Sequence, residues 1–164
     1  MKTSLLNPDH FFDGIYQWHN SEYDVRLPIF YYDNTSMTAI YTASTKKLKP
    51  LLPSADMHPV EMFPGRCLIA FSAFEYRKTD IGSYNEFSVA AMISYGKQSV
   101  PGITLLTHLA KNMFEAYILY LPVTSELARK GGVEMGGYPK FIAEIDFKEK
   151  NGRLACELSE KGNR

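Results

Sequence analysis

In the stretch GGVEMGGYPKFIAEIDF, residues 131–147, four glycines lead through Tyr138 and Pro139 to one lysine, Lys140, at the front of an alternating apolar strand. The chemistry within reach of a lysine amine is attack on a ketone or aldehyde carbonyl to form an imine. A free lysine titrates near ~10.4, so at pH 7 only about one molecule in a thousand or fewer holds the neutral, nucleophilic amine. Burial or a neighbouring cation raises that fraction. On composition alone, a lysine at a strand start is a solvated cap. The setting here favours a lysine that enters the protein. Gly136 and Gly137 permit a close turn, Pro139 breaks no ladder at the first position of a strand, and Phe141, Ile142 and Phe147 supply a dry wall.

Four other residues accompany it as candidates. Glu86 lies in YNEFSVAAMISYG, where Tyr84, Glu86 and Ser88 share one face, turned either to water or to a cavity. Tyr138 either packs or lines a pocket. Arg26 is either a surface charge or a carboxylate holder, and Glu134 is read as capping or pairing within the turn.

The remaining composition excludes more than it selects. Eighteen basic side chains balance eighteen acidic ones in 164 residues, so no global field attracts nucleic acid or an anionic membrane, and a small-molecule partner fits better. The histidines at 10, 19, 58 and 108 form no i, i+4 pair and have no accompanying cysteines, so no metal site is expected. GGVEMGGYPK lacks the Gly-Lys-Ser/Thr ending of a phosphate loop, and neither a dinucleotide fingerprint nor a Gly-x-Ser-x-Gly elbow occurs. Cys67 and Cys156 sit far apart in apolar contexts, as reduced core thiols do. With no leader-like or membrane-spanning run, a cytoplasmic location is expected.

The elements that must position the lysine read as one mostly antiparallel β domain over residues 1–164 with two or three short helices. Residues 1–28 are expected to form an irregular arm, and 30–42 two short strands about a turn at Asp33 and Asn34. TKKLKPLLP predicts a short helix stopped by proline, and MHPVEMFPG a loop. Strands are expected over 67–77, 84–96 and 114–123, with a helix over 103–113. Thr124 or Ser125 is expected to cap a helix that ends at Gly131 and Gly132. KFIAEIDF and RLACEL then form a hairpin about Lys150, Asn151 and Gly152.

The segment Glu134 to Lys140, EMGGYPK, resembles the signature around the Schiff-base lysine of the acetoacetate decarboxylase family. IYTASTKKLKPLLP (40–53), YNE (84–86) and ILYLPVTSELARKGG before the motif are similar to the family's flanking elements, so the resemblance covers residues 28–148. It implies an α+β fold, mostly antiparallel β, arranged as a β-barrel or cone with a few short helices. It also implies Lys140 as nucleophile, Glu86 as its acidic partner, and Tyr138 lining the pocket. Two positions depart from the family. Its second lysine is replaced by Phe141, which leaves desolvation to activate the amine; its early arginine falls near Asn34 and another acidic position near Ala70, so Arg26 is the candidate replacement. Family members continue through further strands after the hairpin, so a short or incomplete version is expected.

The expected function is decarboxylation of a β-keto acid through a lysine imine, with no external cofactor. Imine-dependent aldol or dehydration chemistry on a keto acid is the second reading, and a non-catalytic β module binding a small ligand the third. Lys140 is expected to be buried in the largest concavity with Glu86 pointing into it. Strand edges left uncovered in a short chain are expected to drive self-association into a homo-oligomer.

Overall fold

The computed structural model describes residues 18–20, 23–25 and 28–159. In chain order, β1 (Trp18–Asn20) and β2 (Tyr23–Val25) pair as a short hairpin, followed by β3 (Tyr31–Ser44), α1 (Thr45–Leu48) and a 3-10 turn (Lys49–Leu51). Next come β4 (Met57–Pro59), β5 (Glu61–Phe63), β6 (Arg66–Thr79), β7 (Tyr84–Tyr95) and α2 (Ile103–Lys111). The chain continues through β8 (Glu115–Val123), α3 (Glu126–Gly136), β9 (Lys140–Ile142) and a hairpin of β10 (Glu144–Lys150) and β11 (Arg153–Ser159). The main sheet runs β3-β6-β7-β8-β9, antiparallel except for the parallel β8–β9 pair. This is the expected mostly antiparallel fold, with three short α-helices among the described residues.

Several local expectations change. The first 28 residues are not wholly irregular, because β1 and β2 pair within them. Residues 31–44 form one long strand rather than two, since the proposed turn at Asp33 and Asn34 is only a bulge in the β3–β6 ladder. Arg77 donates across that bulge to Asp33 through two bonds, at 2.6 and 3.0 Å. The segment read as a loop at 57–63 forms β4 and β5, a wedge between β6 and β7 where those strands splay apart. Val60 at its tip is fully buried; its N–H donates to Met92 O at 2.8 Å, and its carbonyl accepts from Leu68 N at 2.9 Å.

Two changes bear on the lysine. The helix begins where expected, with Ser125 Oγ accepting from Ala128 N, but it runs on through Gly131 and Gly132 to Gly136. It stops at Gly137, whose φ of 63° reverses the chain. KFIAEIDF is not one strand either: it breaks at Ala143, so that β9 joins the main sheet beside β8 while β10 pairs with β11. The turn of that hairpin is as expected, with Asn151 and Gly152 both at positive φ.

The buried apolar residues form separate clusters. Leu48, Leu52, Cys67, Ala91 and Ile93 pack beneath α1, and Val60, Leu68 and Met92 fill the wedge. Tyr84, Val123 and Ala128, with Ile142 against them, lie where α3 covers the sheet. The third cluster floors the lysine site. Because Val60 seals the wedge far from that site, Val60→Ala should lower unfolding stability by about 2 kcal/mol in urea titration. A loss below about 0.5 kcal/mol would mean the wedge is not a packed element.

Candidate active site

Strand order brings the acid and the base together. Glu86 pairs with Val123 across β7–β8, and Lys140 with Leu121 across β8–β9, so the two side chains reach over one intervening strand on the same face. Lys140 Nζ donates to Glu86 Oε2 at 2.7 Å, and both side chains are nearly out of water, at 9% and 11% exposure. Tyr84, Glu86 and Ser88 all belong to the buried face of β7, which settles the choice between water and cavity.

Helix α3 is shaped around the lysine. A Cβ at Gly132 would lie 2.4 Å from Lys140 Cδ and 2.6 Å from Cε, so the lysine stem crosses the helix in the space a side chain would take. At Gly136 a Cβ would lie 2.5 Å from Tyr138 Cδ2. The chain then turns tightly. Tyr138 N–H donates to Gly132 O at 3.0 Å, Lys140 N–H to Tyr138 O at 2.8 Å, and Leu121 N–H to Pro139 O at 3.3 Å.

Three tyrosines close the other side. Tyr31 and Tyr76 rings are 4.6 Å apart, Tyr76 and Tyr84 4.8 Å, and the Tyr31 and Tyr84 hydroxyls are hydrogen-bonded at 2.9 Å. Lys140 Nζ sits 6.0 Å from the Tyr84 ring centroid. Burial, reinforced by the nearby Glu86 carboxylate, pushes Tyr76 and Tyr84 above the usual phenol range; burial also raises Tyr31. These phenols are neutral hydrogen-bonding groups at physiological pH.

Lys140 stands between two cavities. One, about 280 Å³, lies under α3 and is lined by Ile29, Ile81, Leu127, Ala128 and Met135 with Tyr31, Tyr84 and Tyr138. The other, about 270 Å³, holds Glu86 and Ser88 beside Phe74, Ile118 and Leu121. Tyr31, Tyr138 and Lys140 line both. A more open groove on the β10–β11 hairpin is larger, about 570 Å³, so the lysine does not occupy the largest concavity.

The expected residues divide as follows. Lys140, Glu86 and Tyr138 come together. Phe141 lines neither cavity, because side chains alternate along β9 and Lys140 and Ile142 take the inner face; the Phe141 wall is therefore withdrawn. Glu134 is exposed on α3 and lines neither cavity. Arg26 lies outside the described residues. Asn34 is exposed on β3. Lys140 is the only cation among the described residues lining the two cavities, and its neighbour is a carboxylate rather than a second cation. Sequence reasoning missed Gly132, Tyr31 and Tyr84; the second glycine of a doublet inside an otherwise helical run is the signal that could have found Gly132.

This geometry meets its relatives in the comparisons. Residues 16–164 match the model of the family described as Acetoacetate decarboxylase (ADC), and the chain belongs to that family. A solved acetoacetate decarboxylase is similar at TM-score 0.66 and 17% identity, over 84% of this chain and 48% of that one. The acetoacetate decarboxylase of Legionella pneumophila is similar at TM-score 0.66 and 18% identity, over 98% and 56%. The enduracididine biosynthesis enzyme MppR, solved with the condensation product of pyruvate and imidazole 4-carboxaldehyde, is similar at TM-score 0.54 and 16% identity, over 80% and 51%. The chain thus spans about half the length of the solved structures it matches. A comparison with curated protein sequences gives no match.

Two predictions follow from the glycines and the phenols. Gly132→Ala should slow imine trapping by borohydride at least tenfold and lower thermal stability, because the new methyl takes the path of the lysine stem and drives the amine from Glu86, a loss larger than the helix-propensity gain of about 1 kcal/mol. Gly131→Ala, whose methyl would meet no atom within 4 Å, should show the propensity gain in stability. Unchanged trapping in Gly132→Ala would make Gly132 a helix residue only. For the phenols, a folded pKa raised above the unfolded value of about 10 adds stability below that pH, and the gain is lost as pH rises through and beyond it. Between pH 9 and 11.5 the urea midpoint of the wild type should therefore fall more steeply than that of Tyr84→Phe. Parallel curves would contradict the buried neutral phenol.

Proposed function

We propose that this chain is an imine-forming enzyme in which Lys140 attacks the carbonyl of a small β-keto acid and releases it as a ketone and carbon dioxide. The observation that carries the reading is the buried 2.7 Å Lys140–Glu86 pair placed between two cavities. A proton passing from the ammonium to Glu86 leaves two neutral groups, so the dry site gains no net charge while the nucleophile is released. Glu86 thus serves as the acceptor for the ammonium proton, a different route from the repulsion a neighbouring cation would exert.

The neutral amine adds to the ketone carbon, and the carbinolamine loses water with a proton supplied by Glu86, giving a cationic imine. The bond between the α-carbon and the carboxylate then breaks, its electron pair neutralises the imine nitrogen as an enamine, and carbon dioxide leaves. Protonation of the enamine carbon and hydrolysis by one water return the ketone and the free lysine. The cationic imine supplies the positive charge opposite the carboxylate, and within the hydrogen-bonded pair Tyr31–Tyr84 the phenol that accepts from the other has its own O–H left to donate to oxygen. No step needs an external cofactor.

A second reading keeps the imine and changes the bond made or broken. The meeting of two cavities at one lysine favours it, since an enamine in one could add to an aldehyde in the other. Product analysis separates the two: carbon dioxide with a ketone, or a longer condensed acid.

With a panel of β-keto acids, Lys140→Arg should lose at least a thousandfold in turnover while keeping the fold, because it retains the charge opposite Glu86 but is not a nucleophile. Glu86→Gln should lose one hundredfold or more. Turnover in Lys140→Arg within tenfold of wild type would overturn the imine reading.

A further inference from the structure

We infer that the substrate carries an apolar substituent, a medium-length alkyl chain or an aryl ring, on the carbonyl carbon that Lys140 attacks, and that it lies in the cavity beneath α3. The inference rests on the imine reading and specifies its substrate class. A carbonyl carbon has two arms, and the lysine amine stands where two cavities of different character meet. The one containing Glu86 and Ser88 has groups that can hydrogen-bond a polar arm. The one beneath α3 is walled by Ile29, Ile81, Leu127, Ala128 and Met135, with tyrosine hydroxyls and Lys140 as its side-chain polar atoms.

A carboxylate placed among those aliphatic side chains would be desolvated with no cation of its own, because Lys140 is already bonded to Glu86. The acidic arm therefore belongs on the side where Ser88 and the protonated Glu86 carboxyl can hydrogen-bond it, and the apolar arm beneath α3. Size points the same way. An apolar cavity of about 150 Å³ accommodates benzene, so about 280 Å³ has room for about eight to ten carbon atoms. A methyl group would leave most of that wall in contact with water.

The test uses the full chain and a series of 2-alkanones from four to fourteen carbons, with arms of two to twelve carbons, which form imines but cannot lose carbon dioxide. Affinity is read by calorimetry and imine formation by borohydride trapping. Affinity should tighten about threefold for each methylene until the arm reaches about eight to ten carbons, then level off. Met135→Trp, which occupies cavity space, should move that plateau to shorter chains. The double variant Lys140→Met with Glu86→Gln, free of an unpaired buried charge, should keep the chain-length dependence without trapping. Affinity independent of chain length, or a plateau unmoved by Met135→Trp, would overturn the inference even if ketones are trapped. Chain-length dependence without trapping in the wild type would uphold the cavity and overturn the imine.

Discussion

A lysine and a glutamate removed from water each require the other. Desolvating either charge alone costs several kcal/mol, and only the short contact between Lys140 Nζ and Glu86 Oε2 offsets both. The positions of β7, β8 and β9, the glycine face of α3 and the tyrosines around the pair are arranged about that contact. Such a pair is weak evidence for stability, because matched apolar residues would hold the fold as well. Its presence points to chemistry.

The sheet supplies the distance and the helix supplies the room. With Glu86 and Lys140 separated by β8, their long side chains converge above it. Had β9 entered the sheet one residue out of register, Phe141 would face the glutamate and Lys140 would face away. The register is held by the turn at Gly137 and by the backbone bonds of Tyr138, Pro139 and Lys140. Gly132 and Gly136 lower the helix surface so that the lysine stem and the Tyr138 ring can lie across it. A glycine in a helix interior costs up to about 1 kcal/mol relative to alanine, a loss here associated with a path for the lysine.

Much of this was legible in the residues. Alternation located β6, β7 and β8, Ser125 marked the start of α3, and Asn151 with Gly152 marked the last hairpin. Lys140, Glu86 and Tyr138 were identified by type and by resemblance to a family motif, and the fold brings them together. What was not legible depended on tertiary contacts. Two glycines in a row look like a helix end, and only the lysine lying against Gly132 explains why the helix continues through them. Phe141 looked like a pocket wall because an apolar run hides its parity until the first inward residue is known. The wedge at 57–63 ends its first strand at Pro59 and is followed by Pro64, and it pairs only because β6 and β7 separate there. The missing second lysine points to desolvation; the amine is indeed nearly out of water, but the carboxylate beside it was not legible in the sequence spacing.

The central claim is that the Lys140 amine forms a covalent imine inside this site. The most direct measurement is peptide mapping by mass spectrometry after borohydride reduction in the presence of a β-keto acid, performed on the intact chain. The account predicts one stoichiometric adduct, carried by the peptide containing Lys140 and absent from Lys140→Arg. Adducts spread over exposed lysines, or none at all under conditions where the keto acid is bound, would contradict it.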